Sequence, residues 1–116
     1  KDASITGNTF VLMLREAVKV AGAGNARIGL TGNVFLNPSV GAPGEAPAVY
    51  LENLTRSIIA NNIFTDDQEP PTMKTPIVFA GPCTDNLVLG NSLPAGTTLD
   101  VPGDNNRVEM NLGLGE

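Results

Sequence analysis

Ile5-Thr6-Gly7-Asn8-Thr9-Phe10 is a phrase that the chain writes again as Leu30-Thr31-Gly32-Asn33-Val34-Phe35, Ile59-Ala60-Asn61-Asn62-Ile63-Phe64 and Val88-Leu89-Gly90-Asn91-Ser92-Leu93. Each copy sets an aliphatic residue three positions before an Asn, and Phe or Leu two positions after it. The Asn-to-Asn steps are 25, 29 and 29, and self-similarity at roughly 20–50 residues marks a chain of stacked units. Strand side chains alternate faces, so the positions three before, at, and two after the Asn cannot all point inward along one unbroken strand. The Asn therefore sits at a bend between two strands. Inward Asn residues stacked there satisfy the backbone groups of the turn in every unit. Gly7, Gly32 and Gly90 suit a turn with left-handed backbone angles, and Asn61 is the next most tolerant residue for that position.

Two core columns follow from this. Ile5, Leu30, Ile59 and Val88 form the column before the bend, and Phe10, Phe35, Phe64 and Leu93 the column after it. Residues 48–62 align without a gap on residues 77–91, which sets Val49-Tyr50-Leu51 over Val78-Phe79-Ala80 and Leu54 over Cys83. The same frame places Val20 with Val49 and Val78. These apolar pieces have strand length and lie between turn signals. With no two-residue hairpin turns between them, parallel stacking is expected, each strand pairing with its equivalent one coil along. Residues 11–20 read either as a helix with Leu12, Leu14 and Val18 inside, or as strand Val11–Leu14, a turn at Arg15-Glu16 and strand Ala17–Val20; the repeat frame favours the second. Residues 36–47 (rich in Pro and Gly) and residues 65–76 (acidic) read as exposed loops. Residues 98–110 read as a shortened last coil with its turn at Asn105-Asn106 and a last strand at Val108 and Met110, and residues 111–116 as a fraying or capping tail. The expectation is one domain over residues 1–116, an all-β solenoid of about four to five coils around Asn8, Asn33, Asn62 and Asn91. It is expected to be a fragment of a longer chain.

The composition narrows what such a scaffold does. Twelve acidic against seven basic residues, net −5, with no Lys/Arg run, argue against nucleic-acid binding, which needs clustered positive charge. No apolar run approaches the 18 or so residues of a membrane span. A lone Cys83 makes no intrachain disulfide and reads as a buried, inert thiol. The absence of His removes Ser-His and Cys-His nucleophile pairs and the usual zinc ligand. No metal site and no cofactor are expected.

The repeated I-x-G-N-x-F phrase resembles the right-handed parallel β-helix of the pectate-lyase-like superfamily, over about Ser4 to Met110. That group includes polysaccharide lyases, polygalacturonases, mannuronan epimerases and phage tailspike or depolymerase proteins. The resemblance implies a rigid segment of an extracellular or virion protein, often a homotrimer, whose partner is polysaccharide lying along the helix. It is most like a tailspike fragment. The alternatives are a fragment of a secreted lyase, hydrolase or epimerase, or a purely structural adhesin domain. No catalytic motif of these families lies over this sequence residue by residue.

Paired carboxylates suit glycoside hydrolysis, where one donates a proton while the other stays ionised. The acidic cluster Asp66, Asp67 and Glu69, just after the Phe64 strand, supplies the catalytic candidates. The competing reading is a solvated loop, flanked as it is by Pro70-Pro71. Tyr50 and Phe79, aligned between inward neighbours, are expected to face outward and stack one coil apart, as a carbohydrate platform or an interface. Arg56 and Lys74 read as solvated charges, and Glu52 and Asp85 as carboxylates at unrelated offsets.

Overall fold

The computed structural model describes residues 2–11, 13, 15–37, 47–67, 75–97 and 99–114. The Asn phrase creates the architecture. Its left flank forms β1 (Ala3–Thr6), β5 (Ile28–Thr31), β9 (Ile58–Ala60), β12 (Leu87–Leu89) and β14 (Arg107–Glu109), and these pair in that order as one five-stranded parallel sheet. Its right flank forms β2 (Thr9–Val11), β6 (Val34–Leu36), β10 (Ile63–Thr65), β13 (Ser92–Thr97) and β15 (Leu112–Leu114), a second five-stranded sheet. A third sheet holds β3 (Val18–Val20), β7 (Val49–Glu52) and β11 (Ile77–Ala80). The short β4 (Asn25–Ala26) and β8 (Leu54–Thr55) pair beside it, and an isolated bridge joins Thr55 to Thr84. Every pairing is parallel, and the protein is an all-β parallel solenoid of five rungs.

Both core columns stand where the phrase puts them. Ile5, Leu30, Ile59 and Val88 are register partners, and Val108 extends the column by one rung. Leu30, Ile59 and Val88 are fully buried. The rings of Phe10 and Phe35 stack at 5.0 Å with planes 10° apart, and those of Phe35 and Phe64 at 4.6 Å and 7°. That spacing is the distance between paired strands, so strand pairing itself sets the rings face to face.

The Asn residues lock the bend. Asn62 donates its backbone N–H and its Nδ2 to Asn91 Oδ1, at 3.0 and 2.9 Å, and its Nδ2 also donates to the Leu30 carbonyl at 2.9 Å. Asn62 Oδ1 accepts the equivalent pair from Asn33. The pattern repeats from Asn8 to Asn111, so the ladder has five members. Left-handed angles precede each Asn, at Gly7 (φ 67°), Gly32 (67°), Asn61 (57°), Gly90 (67°) and Met110 (57°).

Several expectations need correction. The tail beyond Met110 is a strand: Asn111 is the fifth ladder residue and β15 pairs with β13. Met110 lies at the left-handed bend, 79% exposed, instead of in the last strand. Val18 is the partner of Val49, and Val20 pairs with Leu51. No helix occurs among the described residues, and β3 falls within the strand expected at Ala17–Val20. Leu12, Leu14 and most of the two long loops lie outside the described residues.

The largest correction concerns β11. Its register sets Ile77 with Val49, Val78 with Tyr50 and Phe79 with Leu51, an offset of 28 residues, whereas Thr84 pairs with Thr55 at 29. One extra residue is thus absorbed between the strands, in the turn Gly81-Pro82 opposite Asn53. A one-residue slip exchanges the two faces of a strand. Phe79 accordingly points into the core at 6% exposure, and the expected outward Tyr50–Phe79 stack does not exist. Beyond the turn the frame is restored, and Leu54 and Cys83 are both fully buried.

Candidate functional site

The sequence-derived candidates fall in three places, and they do not converge. Asp66 and Asp67 directly follow β10; Asp66 is half-buried and Asp67 exposed. The Asp67 backbone N–H donates to Asn37 Oδ1 at 2.9 Å, which ties the start of this loop to the preceding rung. Glu69 lies outside the described residues. Among the described residues no three His, Cys, Asp or Glu side chains gather as a metal would need.

Tyr50 does face outward on β7, and its neighbours there are Lys19 and Val78. Its hydroxyl donates to Glu52 Oε1 at 2.7 Å, and Glu52 Oε2 accepts the Gly22 N–H at 3.1 Å. The Lys19 ammonium lies 5.7 Å from the Tyr50 ring centroid, within cation–π range. The hydrogen bond to Glu52 is the main reason the Tyr50 hydroxyl is raised above its ordinary 10.0. The same bond, then the Gly22 N–H, lowers the Glu52 carboxyl. The ring face is thus shared with Lys19, and the hydroxyl already has its acceptor. This is a poor platform for a sugar and a good clamp between the β3–β4 connection and β7.

A different constellation emerges on the outer face of the β9–β12–β14 sheet. Arg27, Arg56, Asp85 and Asn105 occupy one left-handed turn position in successive rungs, with φ of 55, 51, 61 and 61°. Their equivalence shows in the backbone: the N–H groups of Arg27, Arg56 and Asp85 donate to the carbonyls of Thr55, Thr84 and Asp104. Next to this column run the outward residues of the sheet, with Ile58 paired to Leu87 and Leu87 to Arg107. Between the columns is a cleft of about 420 Å³, lined by Arg56, Ile58, Asp85, Leu87, Asn105 and Arg107 over a base of Ser57 and Asn86.

That base is a second polar ladder. Ser57 N–H donates to Asn86 Oδ1 and Asn86 N–H to Asn106 Oδ1, each at 3.0 Å, and Asn86 Nδ2 reaches the Leu54 carbonyl at 2.9 Å. Ser57 and Asn86 are buried and fully engaged, so they fix the floor rather than bind. The groups open to the cleft are those above it. Asn105 Nδ2 donates to Asp85 Oδ1 at 2.6 Å, and Arg107 leans on Glu109 at 3.4 Å. Ile58 is 47% exposed for an aliphatic side chain. The result is an apolar strip of Ile58 and Leu87 between guanidinium, carboxylate and amide groups.

Sequence reasoning took Arg56 and Asp85 as isolated charges. The signal was present: residues 27, 56 and 85 are each 29 apart and each lies just before a strand of the same sheet. Arg107 was obscured because the last step shrinks to 20 residues. Comparison with protein-family models, with curated proteins and with solved structures finds no match for this chain.

Proposed function

We propose that this solenoid is a rigid polysaccharide-binding segment, and that the glycan lies in the cleft across β9, β12 and β14. One observation carries the reading: the apolar strip Ile58–Leu87 is flanked on one side by Arg56, Asp85 and Asn105 and capped by Arg107. Sugars present an apolar C–H face and a rim of hydroxyls. The strip matches the face, and the planar guanidinium, carboxylate and amide groups offer paired donors and acceptors to the rim. Rungs about 4.8 Å apart repeat that offer along the axis, as an extended polymer requires. The bent Asn phrase itself, buried in ladders, holds the rungs in register.

The wider context follows the likeness of the repeated phrase to the pectate-lyase-like β-helix. It assigns the segment to an extracellular or virion protein of tailspike type, homotrimeric, with polysaccharide as partner. A glycan array probed with the 116-residue chain tests the binding. Asp85→Ala and Arg107→Ala are each expected to weaken capture about tenfold, the worth of one charged hydrogen bond, with the fold intact because both side chains are exposed. An array that stays blank, or capture indifferent to both changes, overturns the reading. A solution mass showing the parent protein strictly monomeric removes the tailspike assignment.

A further inference from the structure

Gly29 is a glycine for which the backbone gives no reason. Every other described glycine has a positive φ, between 67 and 119°. Gly29 does not, and it stands inside β5 with strand partners on both sides, Ser4 on β1 and Ile58 on β9. Glycine weakens the interior of a strand, and where it occurs there it marks a bulge, a tight bend, a close backbone or a ligand that comes near. The register runs unbroken from Ala3–Ile28 to Thr6–Thr31, so there is no bulge. No left-handed angle bends the chain at this point. A Cβ placed on Gly29 meets nothing nearer than the Ala3 carbonyl oxygen at 4.0 Å, so no neighbouring backbone needs the space. Of the four reasons, the ligand remains.

The place of Gly29 in the sheet says which ligand. Ile28 and Leu30 on either side of it are buried, so position 29 belongs to the outer face. The outward column there reads Ser4, Gly29, Ile58, Leu87 and Arg107 from rung to rung. Ile58 and Leu87 form the apolar strip of the cleft. A polymer that lies on this strip and follows the axis passes next over Gly29. The surface drops by a whole side chain there, beside an Ile58 that is 47% exposed. The rim of this notch is polar. Arg27 stands to Gly29 as Arg56 stands to Ile58, two residues ahead at the left-handed turn. Its Nε donates to Asp2, which holds a side chain that is 57% exposed. Thr31 flanks the notch two residues further along β5, and Ser4 lies beyond it on β1.

We propose that Gly29 forms a second subsite, continuous with the β9–β12–β14 cleft, and that the next sugar unit of the same glycan settles into it. The proposal rests on the reading of that cleft as a glycan site. Ile58 gives the notch an apolar wall for the C–H face of the unit. Arg27, Thr31 and Ser4 offer guanidinium and hydroxyl groups to its rim. A side chain at position 29 would stand where the sugar lies, and this accounts for a glycine that the strand itself does not need. The glycan then follows the solenoid axis over four rungs, from Arg107 through Leu87 and Ile58 to Gly29.

Gly29→Val separates binding from folding. A β-branched residue suits a strand better than glycine, and the 4.0 Å clearance admits its Cβ, so the thermal midpoint is expected to hold or rise. Glycans captured on an array by the 116-residue chain are titrated as oligosaccharides of increasing length, from the disaccharide upward. The longer chains are expected to bind Gly29→Val about five- to thirtyfold more weakly, the worth of one or two hydrogen bonds. The shortest chains that cover Ile58 and Leu87 are expected to bind both proteins equally. Gly29→Ala, which adds the Cβ alone, is expected to show the same dependence on length with a smaller loss, and it decides the matter if the valine variant does not fold. Ser92→Val, a similar addition on the outer face of the second sheet beside Ile63, is expected to leave every length unchanged. Longer chains indifferent to both glycine substitutions, while Arg107→Ala still weakens them, overturn the subsite and leave the cleft standing. A loss equal at every length, or one that comes with a lowered thermal midpoint in both variants, also overturns it. An array that captures nothing removes the cleft, and the subsite falls with it.

Discussion

At the scale of single residues, Asn62 and Met110 mark the two extremes of how well the repeated bend is made. Asn62 is fully buried and satisfies the Leu30 carbonyl while its own Oδ1 receives two donors from Asn33. Asn62→Leu fills the space yet strands those partners, and each buried polar group left unpaired costs about 1–3 kcal/mol. A loss of at least about 3 kcal/mol in denaturant unfolding is expected. Met110 is the opposite case: an L-residue at φ 57° with its side chain 79% exposed. Left-handed backbone costs such a residue about 1–2 kcal/mol, which glycine avoids at a smaller entropic cost. Met110→Gly is expected to raise stability by about 0.5–1 kcal/mol. Gly90→Ala in the equivalent place is expected to lower it, because the added Cβ comes within 2.7 Å of Asn61 Oδ1. The same unfolding measurement decides both, and a Met110→Gly protein less stable than its parent contradicts the geometry.

At the scale of elements, β7 and β11 show which faces a sequence reveals and which it conceals. Where the Asn phrase is near, counting by 29 puts every residue on its correct face, as with Leu30, Ile59 and Val88. Counting back from Asn91 to β11 crosses Gly81-Pro82, where an extra residue is absorbed, and the faces of the β11 residues 77–80 are inverted. The repeat period is a property of the ladder, whereas turn length is free to vary, so the alignment fails in the turns. The cleft across β9, β12 and β14 was legible in its spacing but not in its proximity, since Arg107 belongs to a rung nine residues shorter than the two before it (20 against 29). The corrected register has a direct test. Phe79→Ala is expected to cost about 3 kcal/mol as a buried aromatic truncation, and Val78→Ala on the half-buried outer face less than half of that. On β7, Tyr50 is the sole Tyr in a chain without Trp, so phenolate absorbance reports it alone. Its hydroxyl is held protonated above the ordinary 10.0 by the bond to Glu52. The stability this bond lends is present below pH 10 and is lost as pH rises through the raised Tyr50 value. For Glu52, whose carboxyl is lowered from 4.5, the contribution is present above that value and is lost as pH falls through the folded one. The absorbance midpoint is expected above 10, and Glu52→Gln is expected to return it toward 10; a midpoint that does not move assigns the shift elsewhere.

At the scale of the molecule, each rung touches only its neighbours, so stability is close to a sum of rung and interface contributions. The rungs are unequal. Leu30, Phe35, Ile59 and Val88 in the middle are fully buried, whereas Ile5, Phe10 and Val108 in the outer rungs are partly covered and Leu112 is 69% exposed. Local opening is drawn from the least buried, least bonded parts of a structure. Amide exchange is therefore expected to slow from β1 and β2 toward β9 and β10 and to quicken again toward β14 and β15. One end of the ladder and its middle provide the perturbations that separate a chain of coupled rungs from a single all-or-none core. Asn8 is exposed and, among the described residues, its Nδ2 bonds Thr6 and Asn33, so Asn8→Ala is expected to quicken exchange in β1 and β2 and leave β9 to β13 unchanged. Asn62→Leu sits where coupling crosses from the second to the fourth rung, so its effect is expected to spread to Asn33 and Asn91 and the strands on both sides. Uniform quickening everywhere by either substitution means that the solenoid opens as one unit, and the rung-by-rung account of its rigidity then fails.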